Sequence, residues 1–177
     1  MVSLGDKVVY RHHVCEVVAV RENYYGGKDY LELRALFEKS LKLFVAEDET
    51  KPPAFRPVMT RDEALALIES VATTQAIDNE SPSSPGETPA LHERHTKELY
   101  EERLKTFSPQ DLLVILKSTH ERTESRELEG RNATATDKKY LDMARSMLCD
   151  ELSVSLDIPR EKTEDYLTER VHEILDK

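Results

Sequence analysis

His12, His13, His92, His95, Cys15 and Cys149 are the side chains of this 177-residue chain best suited to metal binding or nucleophilic chemistry. His92 and His95 stand three apart in ALHERHTKELYEERLK, a spacing that puts both imidazoles on one side of a helix. A zinc site needs three or four ligands and supporting partners, and no third His, Cys or carboxylate stands at a matching spacing. A solvated helix face is therefore expected, with no metal and no cofactor. Cys15 falls inside a Val-rich, strand-like run and Cys149 on an apolar helical stripe, where cysteine acts as a small buried hydrophobe. The two are far apart and outside any Cys-x-x-Cys spacing, so neither a disulfide framework nor a zinc ribbon is implied. Gly-x-Ser-x-Gly, a Gly-rich phosphate loop and His-Glu-x-x-His are all absent from the sequence. Carboxylate pairs such as Glu101-Glu102 and Asp150-Glu151 are expected on the surface. With no catalytic constellation, the expectation is a protein that is not an enzyme.

The basic side chains cluster more suggestively. Arg94, Lys97, Arg103 and Lys105 share one segment, and Lys138, Lys139 and Arg145 another. Lys138 and Lys139 fall in the first turn of an expected helix, where they oppose the macrodipole. Positive charge there suits an external anion, although solvated lysines would look the same in sequence. The net charge of −10 excludes a protein that coats nucleic acid non-specifically, because many phosphate contacts need a surplus of Lys and Arg. An apolar content of 38% beside a charged content of 34% fits two small, helix-rich units better than one large buried sheet. MVSLGDKVVYRHH lacks a signal-peptide core and no apolar run approaches the roughly 18 residues of a membrane span. A cytoplasmic, monomeric protein without membrane contact is expected.

These residues must be positioned by two kinds of element. DKVVYRH, CEVVAVRENYY, KDYLELRALF and LKLFVA read as short strands broken at His12-His13, at Gly26-Gly27 and at Glu38-Lys39-Ser40. Four or five such strands suit a small SH3-like or Tudor-like barrel. Thr60 and Glu63 have capping-box spacing ahead of a helix with Leu65, Ile68 and Ala72 on one face, expected to pack on the barrel and close a first domain over residues 1–75. Residues 76–88, rich in Pro, Ser and acid, read as a flexible linker. Four helices should follow over 89–177. Ser108-Pro109 opens one, and Thr134 with Asp137 opens a longer one whose stripe is Leu141, Ala144, Leu148, Leu152 and Leu156. The fold class is thus α+β, a β-barrel followed by a helical bundle.

GDKVVYRHHVCEVVAV, then KDYLEL, LKLFVA and FRPVMTRDEALALIE, resembles the N-terminal module of the CarD/CdnL transcription regulators, a module shared with transcription-repair coupling factors. ATATDKKYLDMARSMLCDELSVSLDIPREKTEDYL is similar to that family's helical domain. The resemblance implies a bacterial protein whose Tudor-like domain docks on the RNA polymerase β subunit by strand-edge pairing. Carried onto this chain, LKLFVA is the edge strand, Lys42 and Phe44 share one face, and Arg21 stands in the neighbouring strand. The family's helical domain touches promoter DNA at the upstream edge of the bubble, with basic residues on phosphates and a Trp as minor-groove wedge. Arg94, Lys97, Lys138, Lys139 and Arg145 match the basic role. The chain has no Trp, and the wedge position falls at Glu93. Two further departures stand out. Tyr10 is followed by Arg11 where the family has Pro, and the family's Gly after its His is missing, so the first hairpin must be reshaped; Thr88 to Lys177 carries 15 Lys and Arg against 20 Asp and Glu. The expectation is a CarD-like regulator that binds polymerase, contacts promoter DNA weakly and modulates open-complex stability. The alternative is a protein-protein adaptor on polymerase that has lost DNA binding.

Overall fold

The computed structural model describes residues 2–47, 55–77, 86 and 88–175. Five antiparallel strands, β1 (Lys7–Tyr10), β2 (His13–Tyr25), β3 (Lys28–Ala35), β4 (Lys42–Ala46) and β5 (Phe55–Pro57), lie in the order β4-β3-β2-β1-β5. Alternation puts Leu31, Leu33 and Ala35 on the buried face, where Val8, Cys15, Val17 and Val45 join them. The chain is α+β, but among the described residues the sheet does not close into the expected barrel. β5 has three residues and pairs only with β1, while β4 pairs only with β3, so each leaves an edge. Gly26 and Gly27 turn the β2–β3 hairpin with φ of +61° and +72°, as a two-residue turn with two left-handed residues requires. At the β1–β2 turn Arg11 takes φ +55°, a left-handed conformation that is costly for a residue with a Cβ.

Five helices follow: α1 (Arg61–Glu69, extended by a 3-10 turn at Ser70–Ala72), α2 (Pro89–Leu104), α3 (Pro109–Leu128), α4 (Ala135–Leu156) and α5 (Arg160–Leu175). The capping box of α1 forms: Thr60 Oγ1 accepts from the Glu63 amide, and Glu63 Oε2 accepts from the Thr60 amide at 2.7 Å. Its buried face is Ala64, Leu67 and Ile68, continued by Val71, rather than Leu65 and Ala72. That face joins Tyr100, Leu104, Leu148, Leu152 and Leu156 in the helical core. The helix expected to close the first domain therefore packs against α4 and α5. An apolar stripe specifies burial but not its partner, and the helices offer the larger apolar surface.

The chain beyond α1 stays on the helical unit. Lys117 Nζ donates to the Val71 and Thr74 carbonyls at 3.1 and 2.6 Å, and the Ile77 amide donates to Ser118 Oγ at 2.8 Å. Of the expected linker, residues 78–85 and 87 lie outside the described residues; Ile77 on one side packs against the helical core, and Thr88 on the other caps α2. Ser108 stands at the N-cap of α3 as expected, but its hydroxyl makes no capping bond. Thr134 does cap α4, accepting from the Asp137 amide at 3.0 Å. Ala144, Leu148, Leu152 and Leu156 of the α4 stripe are buried, whereas Leu141 is only half-buried.

Sheet and helices meet around a buried carboxylate. Arg56 donates from Nη1 and Nη2 to Glu151 Oε1 and Oε2 at 2.5 and 2.6 Å, and the Met59 amide adds a bond to Oε1 at 3.0 Å. Glu151 is 2% exposed, and Asp150, half-buried, accepts from Arg160 Nε at 2.5 Å. The Asp150-Glu151 pair is therefore not at the surface: three donors offset the desolvation of Glu151, whereas at Asp150 burial outweighs the Arg160 bond and raises the pKa. Beside it, His12 meets the Phe107 ring edge-on with centroids 4.8 Å apart.

Candidate functional site

β4 is an edge strand, and no described strand pairs with its outer side. In the β3–β4 register Phe44 lies opposite Glu32 and Lys42 opposite Arg34, so Lys42, Phe44 and Glu32 share the face away from the sheet core. β2 is not the neighbour of β4, because β3 lies between them. Arg21 nevertheless reaches the group, donating from Nε and Nη2 to Glu32 Oε2 at 2.9 and 2.6 Å, while Lys42 Nζ lies 4.0 Å from Oε1. Glu32 is 7% exposed, and the two cations that cover it stay half-exposed or more, so the outward face presents positive charge over a hidden anion. Tyr24 stacks on Phe44 with centroids 5.2 Å apart and planes within 9°, and Tyr30 meets Tyr24 edge-on. Arg21, Lys42 and Phe44 are thus brought together. Glu32 and Tyr24, which hold them, escape a reading of sequence because their roles depend on strand register.

The expected DNA-facing residues do not form one surface. Lys97 and Lys139 converge on Glu101, with Lys97 Nζ 3.7 Å from Oε1; Tyr140 Oη donates to the same carboxylate at 2.9 Å. The Tyr140 hydrogen bond, aided by these lysines, holds Glu101 below the usual carboxylate range. Lys139 also lies over the Tyr140 ring, and Lys138 is exposed, with no ion pair among the described residues. Arg94 pairs with Glu98 at 3.0 Å. Arg145 stands away from these, in a groove between helices, donating to Glu164 at 3.0 Å.

Glu93 faces an internal partner. It accepts from Arg122 Nη2 at 2.5 Å, and Arg122 Nη1 donates to Asp137 Oδ1 at 3.2 Å, where the Tyr100 hydroxyl also donates at 3.1 Å. Burial raises the cost of charge on Glu93, but hydrogen bonds from Thr136, Arg122 and Thr134 outweigh it, and its pKa falls. A carboxylate at this position ties α2 to α3 and α4.

Cys15 and Cys149 are fully buried, and burial pushes each thiol up to about 11, so neither is a thiolate at neutral pH. Among the described residues no three of His, Cys, Asp and Glu gather as a metal site, and no helix is long and apolar enough to cross a membrane.

The geometry defines an α+β protein with an exposed, cation- and aromatic-bearing strand edge on one side and a helical unit fixed to the other. No protein-family profile matches the chain, and no curated protein is significantly similar to it.

Proposed function

We propose that this chain is a transcription regulator of the CarD/CdnL kind, whose five-stranded sheet is a Tudor-like module that binds the bacterial RNA polymerase β subunit along β4. The observation that carries this reading is the edge itself. Its outer backbone, which no described strand pairs with, gives a partner strand a ladder to extend, and Lys42, Phe44 and Arg21 supply side-chain specificity beside it. The test is retention of RNA polymerase by the tagged full-length protein at low salt. The β subunit is expected with the native chain and is expected to be lost with Lys42→Glu; equal retention by both would overturn the reading.

In this proposal weak promoter contact comes from Lys97, Lys138 and Lys139. The adaptor alternative draws support from the carboxylates that already neutralise Arg94, Lys97 and Arg145, and from Glu93 turning inward to Arg122. Lys138→Glu with Lys139→Glu separates the two. A weakened, steeply salt-dependent promoter complex favours DNA contact, and an unchanged complex favours the adaptor.

A further inference from the structure

Between α3 and α5 the helical unit stands open. Both helices pack on α4 but scarcely meet each other, and the space between them is a groove of 410 Å³. That falls within the roughly 300–1,000 Å³ typical of binding sites. Leu113, Leu116, Leu141, Leu167 and Val171 form its floor and walls, and Val71 of the 3-10 turn closes one end. Leu116, Leu141 and Val171 are only half-buried, which explains why Leu141 departs from the rest of the α4 stripe.

The rim is polar: Glu121, Glu124 and Glu164 outnumber Lys117 and Arg145, with His120 and His172 beside them, and both of these cations are engaged. Lys117 is held by the Val71 and Thr74 carbonyls, and Arg145 by Glu164. Glu121 and Glu124 are exposed beside the apolar floor; Glu121 has only Lys117 at 3.9 Å, and Glu124 has no ion pair among the described residues. An apolar floor with an acidic lip fits an apolar partner flanked by positive charge.

The chain's own helices and inter-element segments supply no such occupant, and its cation-flanked aromatic patch around Phe44 lies on a strand. Residues 48–54 read DETKPPA and 78–85 read DNESPSSP, without Leu, Ile, Val, Met or an aromatic residue. A second copy carries the same net charge of −10, and its most exposed helical leucine, Leu128, stands between Glu127 and Glu129. Self-association would set acid against acid.

We propose that this groove receives an amphipathic helix of a partner protein, with apolar side chains at i, i+3 or i+4, and i+7 seated on Leu141, Leu167 and Val171 and flanking Lys or Arg residues meeting Glu121 and Glu124. The site is separate from β4, and it stands whether or not polymerase binds there.

The test is fluorescence anisotropy with the full-length protein at physiological salt. The probes are a labelled amphipathic peptide of Leu and Lys in helical spacing, its scrambled isomer, and a Leu–Glu counterpart. The amphipathic Leu–Lys peptide should bind at least about tenfold more tightly than either control. Leu141→Glu and Val171→Glu should each remove that margin, while Phe44→Ala leaves it intact. Equal binding of the scrambled isomer, or unchanged binding by a folded Val171→Glu protein, would overturn the proposal. Glu121→Gln with Glu124→Gln alters only exposed groups and keeps the test valid if the core variants unfold. Failure of this pair to reduce the preference for Leu–Lys over Leu–Glu also overturns it. So does a concentration-dependent dimer abolished by Val171→Glu, which would put a second copy in the groove.

Discussion

Arg122 and Glu93 show how a single ion pair changes the meaning of a position. Arg122 is 6% exposed, and its two carboxylate partners offset the burial of its charge. Glu93→Gln removes one of them and leaves Asp137, so a loss of about 1–3 kcal/mol at neutral pH is expected in urea denaturation. The sign with pH follows from the direction of the shift. The Glu93 pKa is lower in the folded protein than in the unfolded chain, so its contribution is present above the unfolded value and is lost as pH falls through the folded one. Native and variant proteins should converge in stability in acid; a constant difference would count against this account. In sequence, Glu93 is visible only as an anion where a DNA wedge would stand. Its partner lies 29 residues downstream on another helix, and nothing local points to it.

At the scale of the element, features whose partners lie within one turn are largely legible in the sequence, and those that depend on distant partners are not. The Thr60–Glu63 and Thr134–Asp137 caps were legible because both partners lie within one turn, and the Gly26-Gly27 hairpin because positive φ favours glycine. The choice of α1 between sheet and helices was not legible, nor was the burial of Glu151, since both depend on what the fold brings alongside. Phe44 and Lys42 could be placed on an edge strand, but the register that sets Glu32 beneath Arg21 could not be read. The end of α4 offers a test of local backbone chemistry. Asp157 adopts φ +55° there, where the Ile158 amide bonds the Ser153 carbonyl at 3.0 Å. Asp157→Gly relieves the left-handed strain and should raise stability by about 0.5–1 kcal/mol, measured as the shift in the urea midpoint.

For the whole molecule, the joint at Glu151 decides whether sheet and helices behave as one body. Glu151→Ala leaves Arg56 without its carboxylate and the Met59 amide without its acceptor, at an expected cost of about 3–5 kcal/mol. Hydrogen exchange read by mass spectrometry should then show β1 and β5 losing protection before α4; uniform loss throughout the chain would argue that the joint does not hold the two parts together.

The route of the chain past α1 bears on reach. Ile77 and Thr88 are both anchored on the helical unit. The crossing from sheet to helices is instead Val58 to Thr60, between β5 and α1. The span from the β4 edge to the groove therefore works as a rigid bracket rather than a tether. Insertions between Ile77 and Thr88 are therefore expected to leave unchanged how far apart two partners are held.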